Sequence, residues 1–226
     1  LLTAAQGGIY DGPAGVIGHS MGGAIALRLA LANRRVGHVI TSGAAGGTLK
    51  VNRAVETFWR TPKSPDDIRN AMKVGMFDHA SITDALIEER FAVARTPGYA
   101  EYFEKMLSGD KQKLLDCARI SPAELAEIKA RVLILHGRND QPCPAEETAL
   151  IVYRDLPKAD LHLLHECGHA IPREYPNTLV TLAGLWFGCP QHLVEAFESA
   201  VEMVRTVIDR QRVNFAVQRK RPFGNA

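Results

Sequence analysis

The feature that most constrains the fold is an apolar run at residues 14–17 that leads directly into a Gly-x-Ser-x-Gly sequence at residues 18–22. Between a strand and a helix, such a sequence turns the chain sharply and holds the serine hydroxyl out at the end of the strand. Glycines two residues to either side of the serine are expected to leave room for the turn. The pattern therefore favours Ser20 as a nucleophile on a strand-to-helix connection.

Four short apolar runs are predicted to be strands buried on both faces, because they are continuous and do not alternate with polar residues. Helical patterns separate them. This alternation predicts an α/β fold with a parallel sheet and helices on its faces. The predicted strands are residues 14–17, 36–41, 131–136 and 159–164, and the predicted helices are residues 21–32, 144–156 and 172–187.

A long helical and polar segment separates the second predicted strand from the third. It is too long for a plain connection and too patterned for a disordered linker, so it is predicted to be an inserted helical cap. Its helix candidates are residues 65–74, 83–94, 99–107 and 122–128. The predicted organisation is a first core part at residues 1–47, a helical cap at 48–129, a second core part at 130–188, and a carboxyl-terminal helix with a basic tail at 189–226.

Charge and cysteine content narrow the function classes. With 27 basic and 25 acidic residues, the chain gives no electrostatic reason for binding nucleic acid or a membrane surface, and a small-molecule substrate is expected. The 4 cysteines have no paired spacing, so neither a zinc site nor a disulfide framework is indicated. No apolar run approaches a membrane span and no secretory signal is evident, so a cytoplasmic location is predicted. The sequence leaves a homo-oligomer open.

A serine nucleophile needs a base to take its proton and a carboxylate to orient that base. His169 lies just after the fourth predicted strand, and Asp140 lies just after the third. The second strand ends without a carboxylate, which favours Asp140 as the acid. The carboxyl ends of parallel strands meet at one edge of a sheet, where α/β folds place their clefts. The backbone N–H of Met21, which follows the nucleophile, is expected to be one donor of the oxyanion hole.

Residues 14–187 resemble the α/β-hydrolase superfamily and, more narrowly, the serine C–C hydrolases that cleave ring-fission products of aromatic degradation. The resemblance rests on residues 18–23, 82–91, 136–140 and 167–169. It implies a triad of Ser20, Asp140 and His169 that needs no metal or other cofactor. It also implies that Arg90 binds the carboxylate or dienolate of the substrate from the cap, and that position 19 touches the substrate pocket.

The chain departs from the family pattern at its front and beside the triad. Family members have further strands and a His-Gly oxyanion loop before the nucleophile strand, so the chain resembles the carboxyl-terminal two-thirds of such an enzyme, with an unpaired first strand. His19 and Ala170 stand where asparagine and tryptophan are usual, which leaves a carboxylesterase or lactonase as an alternative. A non-catalytic or truncated member is another. Haloalkane dehalogenases and epoxide hydrolases are disfavoured, because they have aspartate at the position of Ser20.

Overall fold

A computed structural model describes residues 14–188 of the chain. Its strands are β1 Ala14–His19, β2 Val36–Ser42, β3 Arg131–Gly137 and β4 Ala159–Leu164. They form a sheet in the order β1-β2-β3-β4, and every neighbouring pair is parallel. The predicted parallel sheet is therefore confirmed, and it brings the carboxyl ends of all described strands to one edge.

The central strands differ from the outer strands in burial. Val39, Ile40 and Val132 are fully buried, and β2 and β3 are buried on both faces along most of their length. In β1 and β4 exposed residues largely alternate with half-buried ones, and Ile17 is 49% exposed. The expectation of burial on both faces is therefore wrong for the outer strands. Side chains of a strand point alternately to the two faces, and one face of each outer strand is left open.

Helix α1, Met21–Ala32, packs against β1 and β2 as predicted. The helix predicted at residues 144–156 starts later, as Ala149–Asp155, because residues 145–148 form turns. The helix predicted at residues 172–187 is divided into Ile171–Glu174 and Pro176–Phe187. The break falls at residue 175, since a residue that precedes proline avoids the helical conformation. Residues 175–188 belong to a second compact unit, in which Gly188 follows the end of the helix with a left-handed φ of 68°.

Residues 48–129, where the helical cap was predicted, are called the cap below. Within the described residues, the chain between β2 and β3 forms the 3₁₀ helix His79–Ser81 and six α-helices. In chain order the α-helices are α2 Arg53–Phe58, α3 Pro65–Gly75, α4 Asp84–Ala94, α5 Tyr99–Met106, α6 Lys111–Ala118 and α7 Pro122–Ala126. Helices α2 and α6 were not predicted. Ser64 and Ser121 begin α3 and α7 with reciprocal capping boxes, followed in each case by proline. The helices that follow β3 are α8 Ala149–Asp155, α9 Ile171–Glu174 and α10 Pro176–Phe187.

The main core lies where α1, α8 and the end of the cap segment meet the sheet. Its fully buried members include Leu27, Val39, Ile128 and Val132. Among the helices of residues 14–188, none has both the length and the apolar character that crossing a membrane requires. The carboxyl-terminal helix and basic tail predicted at residues 189–226 lie outside the described residues.

Candidate active site

Ser20 lies at the junction of β1 and α1 in a conformation that few residues other than glycine adopt. Its φ is 55° and its ψ is −125°, so backbone strain is concentrated there. Its N–H donates to the Ser42 carbonyl at 2.9 Å, and its carbonyl accepts from the Ala45 N–H at 3.1 Å. The end of β2 therefore fixes the turn that presents the serine hydroxyl.

Two glycines near Ser20 are required because other groups approach them closely. A Cβ at Gly18 would lie 2.1 Å from the Gly22 carbonyl oxygen, and a Cβ at Gly23 would lie 2.5 Å from the Cβ of Ala44. A Cβ at Gly22 would meet no atom within 4 Å. The expectation for the two flanking glycines is therefore right for Gly18 and wrong for Gly22. The second steric requirement falls on Gly23, where α1 approaches the chain after β2.

Two hydrogen bonds join the three residues that the sequence predicted. His169 Nε2 lies 2.9 Å from Ser20 Oγ, and His169 Nδ1 lies 2.8 Å from Asp140 Oδ2. Because a carboxylate can only accept, Nδ1 carries the ring proton and Nε2 presents its lone pair to the serine hydroxyl. The Asp140 side chain is fully buried and that of His169 is 10% exposed. The structure brings a nucleophile, a base and an orienting carboxylate into hydrogen-bond reach.

Both carboxylate oxygens of Asp140 have further neighbours. Oδ1 accepts the Cys143 N–H at 2.8 Å. Oδ2 lies 3.5 Å from Nε2 of His136, which donates to the Cys143 carbonyl at 2.7 Å. Burial lowers the pKa of the His136 imidazole below its ordinary value of 6.5, so this ring is neutral at pH 7. His136 therefore adds no positive charge that would compete with His169 for the carboxylate.

Asp140, Cys143 and His169 place three potential metal ligands within 4.8 Å of one another. Burial raises the pKa of the Cys143 thiol well above its usual range, so the thiol keeps its proton near neutral pH in this environment. The hydrogen bonds described above already engage the carboxylate and both ring nitrogens of His169. The arrangement favours proton transfer over metal binding, and the expectation of no metal stays a prediction.

The loop that carries His169 is fixed by close packing. The left-handed residue of this loop is Glu166, with a φ of 49°. A Cβ at Gly168 would lie 2.7 Å from the Gly75 carbonyl oxygen, and a Cβ at Gly137 would lie 2.1 Å from the Gly168 carbonyl oxygen. The loop is therefore enclosed between the end of β3 and the end of α3.

His19 and Met21 flank the serine on either side. Nδ1 of His19 donates to the Ser42 carbonyl at 2.9 Å, and its ring centroid lies 5.0 Å from that of His169. Burial of part of the ring, together with the neighbouring His169, lowers the pKa of His19. Met21 begins α1, so its N–H is among the first four of the helix, which have no acceptor within it. Their roles in binding substrate and oxyanion stay predictions.

Arg90 is not brought together with these residues. It lies on α4 with an exposed side chain, and within residues 14–188 it makes no hydrogen bond or ion pair. The same helix buries Leu86 and Ile87, and Ile87 packs in an apolar cluster with Met76 and Ile82. Its assignment as a substrate-binding residue stays a prediction.

Two neighbours of the triad were not predicted from the sequence. Gly43 follows β2 with a φ of +52°, and a Cβ there would lie 3.2 Å from His169 Nδ1 and 3.3 Å from Asp140 Oδ2. The Phe58 ring meets the His169 ring edge-on at 5.8 Å. A glycine directly after a buried strand was a signal for the first. No sequence pattern points to Phe58, which lies at the end of the six-residue helix α2.

Comparisons with known proteins show the family to which the chain is similar. A model described as the Alpha/beta hydrolase family matches residues 2–182. The 2-hydroxy-6-oxo-2,4-heptadienoate hydrolase of Pseudomonas putida is 29% identical over 168 residues, which are 74% of this chain and 60% of that protein. The 2-hydroxy-6-oxo-6-phenylhexa-2,4-dienoate hydrolase of Burkholderia cepacia is 34% identical over 163 residues, which are 68% of this chain and 55% of that protein.

The chain is also similar to proteins of known structure. A mutant meta-cleavage product hydrolase from Pseudomonas fluorescens IP01, complexed with acetates, superimposes with a TM-score of 0.77 at 26% identity. The superposition covers 83% of this chain and 69% of that one. The chain spans 60% of the length of the first of the curated relatives named above and 55% of the second.

Proposed function

Because the chain belongs to the alpha/beta hydrolase family, we propose that it acts as a serine hydrolase in which Ser20, His169 and Asp140 form the catalytic triad. The observation that carries the proposal is the unbroken hydrogen-bond path from Ser20 Oγ through both ring nitrogens of His169 to Asp140 Oδ2. A hydroxyl is a weak nucleophile at neutral pH, and such a path takes its proton as it attacks.

On a carbonyl substrate, His169 Nε2 accepts the proton of Ser20 while Oγ bonds to the carbonyl carbon. Asp140 stabilises the imidazolium that results. The negative charge that develops on the carbonyl oxygen meets the N–H of Met21, at the positive end of α1. The leaving group takes the proton from His169, and a water molecule, activated by the same base, then releases the acid and regenerates Ser20.

The proposed substrate is a ring-fission product of aromatic degradation, in which a C–C bond is hydrolysed. The names of the two curated relatives described above support this class, since both are hydrolases of 2-hydroxy-6-oxo dienoates. For such a substrate, the dienol is first converted to its keto form, and the C–C bond next to the ketone then breaks. A guanidinium such as that of Arg90 is suited to the substrate carboxylate, because it forms two parallel hydrogen bonds with it.

A carboxylesterase or lactonase is the second candidate, and one observation favours it. Arg90 is exposed on α4 and makes no hydrogen bond or ion pair within the described part of the chain. An ester or lactone hydrolase needs the triad but no anchor for a carboxylate. The ratio of kcat/KM on a dienoate ketone to that on a simple aryl ester separates the two candidates. A large excess for the ester would contradict C–C hydrolysis.

The triad itself is tested by labelling with a fluorophosphonate probe, read by intact mass and peptide mapping. We expect one label per chain, located at Ser20, and no label there in Ser20→Ala. Labelling should be at least about 100-fold slower in His169→Ala, because the base is removed. Ser108→Ala, which removes an exposed serine of the cap, is the matched control. A folded wild-type chain that takes no label would overturn the proposal in favour of a non-catalytic member of the family.

A further inference from the structure

The carboxylate of Glu174, at the end of α9, connects two segments that are far apart in the sequence. Oε2 accepts the Gly168 N–H at 2.8 Å. Oε1 accepts the Phe77 N–H at 2.7 Å and the Asp78 N–H at 3.2 Å. Gly168 directly precedes His169, and residues 77–78 follow helix α3 of the cap. One side chain therefore holds the histidine loop and the cap segment together.

The same two segments also meet through their backbones. The Ala170 N–H donates to the Gly75 carbonyl at 2.9 Å. Gly168 lies so close to residues 75–76 that a Cβ there would approach the Gly75 carbonyl oxygen to 2.7 Å. Met76 is buried in a small apolar cluster against which Ala170 packs. Because the contact has no spare room, a shift of residues 75–78 moves the loop that carries His169.

Glu174 suits this place because a carboxylate has two acceptor oxygens and no proton to donate. Each oxygen faces backbone N–H groups of a different segment, and such charge-assisted bonds are stronger than neutral ones. A glutamine of the same shape has one acceptor oxygen, and its NH2 group would face an N–H on the other side. The geometry therefore requires an acid at residue 174 if both segments are to be held.

We propose that Glu174 is a positioning residue, which ties the histidine loop to cap residues 75–78 and so keeps His169 between Ser20 and Asp140. This inference rests on the proposed triad, since it concerns how the base is held. It goes beyond that proposal in linking the cap to the base: a change in the cap at residues 75–78 acts on the reactivity of Ser20 through Glu174.

The test uses the rate constant of fluorophosphonate labelling at Ser20, measured separately from the final extent of labelling. In Glu174→Gln we expect the rate constant to fall by roughly 10- to 100-fold, because small displacements of a catalytic group have large effects on rate. The final extent should stay at one label per chain. A merely structural role would reduce the fraction of chains that label and leave the rate constant of that fraction unchanged.

Two variants and a second measurement complete the test. Glu166→Gln makes the same chemical change at an exposed glutamate of the same loop and should label at the wild-type rate. Glu174→Asp keeps both acceptor oxygens and should recover part of the rate lost in Glu174→Gln. Hydrogen exchange at Phe77 and Gly168 should be slow in the wild type and faster in Glu174→Gln.

A Glu174→Gln chain that labels at the wild-type rate constant would overturn the inference, as would rapid exchange of the Phe77 and Gly168 amides in the wild type. If Glu174→Gln does not fold, Glu174→Asp and the wild-type exchange still decide the matter. A folded wild-type chain that takes no label would instead overturn the proposed function. The exchange measurement would still test whether Glu174 holds the two segments together.

Discussion

The strand ends and helix α4 of the cap hold their side chains very differently. At the strand ends, His169 is bonded to both Ser20 and Asp140, and the backbone of Gly43 lies against the same histidine. On α4, Arg90 is exposed and makes no hydrogen bond or ion pair within residues 14–188. The groups proposed to move a proton are therefore held in position by hydrogen bonds to one another. The group expected to bind substrate is held by no such bond within the described residues.

This difference follows from the two tasks. Transfer of a proton from Ser20 to His169 needs both atoms in hydrogen-bond reach, and small errors in position have a large effect on rate. A long arginine side chain can complete its contacts when an anion arrives, at the cost of ordering that side chain. We therefore expect substitutions at the strand ends to change the rate for every substrate, and substitutions on α4 to change which substrates react.

The largest effect should come from a substitution at the closely packed strand ends. In Gly18→Ala the new Cβ would lie 2.1 Å from the Gly22 carbonyl oxygen, so the turn at Ser20 has to shift. We expect labelling of Ser20 to slow by at least about 100-fold and the free energy of unfolding to decrease by roughly 1–3 kcal/mol. Labelling kinetics and urea unfolding measure the two effects.

Gly22→Ala is the matched control for that substitution. A Cβ at Gly22 meets no atom within 4 Å, and alanine is a better helix former than glycine. The free energy of unfolding should therefore increase by about 0.5–1 kcal/mol. Equal losses of stability in the two variants would mean that close packing does not distinguish these glycines.

The sequence was sufficient for the parts of the site that local pattern marks. Ser20, Asp140 and His169 each follow an apolar run, and the ends of parallel strands meet at one edge whatever the loops between them do. Glu174 and Gly43 could not be identified in this way. Their importance depends on which loops pack together, as Glu174 reaches Phe77 across 97 positions of sequence. Local periodicity carries no information about such pairs.

The next prediction tests the cap side of the comparison. On a dienoate ketone, Arg90→Gln should lower kcat/KM by roughly 10- to 100-fold, because a charge-assisted pair of hydrogen bonds is lost. Labelling by an uncharged fluorophosphonate should stay at the wild-type rate. Arg95→Gln is the control, because it removes the same charge at the end of the same helix. Arg95 stacks over the Phe91 ring at 4.9 Å. Unchanged kinetics in Arg90→Gln would remove Arg90 from the binding site.

A smaller effect is expected where the backbone itself supports the base. Gly43→Ala places a Cβ 3.2 Å from His169 Nδ1 at a φ of +52°, a conformation that costs other residues about 1–2 kcal/mol. We expect labelling of Ser20 to slow by about 10-fold, since the imidazole is displaced while its partners remain. Gly109→Ala, at a left-handed cap position with open space around it, controls for backbone strain alone. A wild-type labelling rate in Gly43→Ala would show that the histidine tolerates movement there.

The smallest effect concerns the pH dependence of stability, and it contrasts a histidine of the core with one of the cap. Burial lowers the pKa of His136 below its ordinary value of 6.5. Between the folded-state pKa and pH 6.5, the unfolded chain therefore binds more protons than the folded chain. The free energy of unfolding therefore includes this contribution in full above about pH 6.5 and loses it as the pH falls toward the folded-state pKa. Urea unfolding at a series of pH values measures the loss.

In His136→Gln, whose amide can still donate to the Cys143 carbonyl, the unfolding midpoint should change less between about pH 7 and pH 5 than in the wild type. His79→Gln, which removes an exposed histidine of the cap, should keep the wild-type dependence. If both variants kept the wild-type slope, burial would not hold His136 neutral. At mildly acidic pH a positive charge on the His136 ring would then lie 3.5 Å from Asp140 Oδ2 and would compete with His169 for the carboxylate.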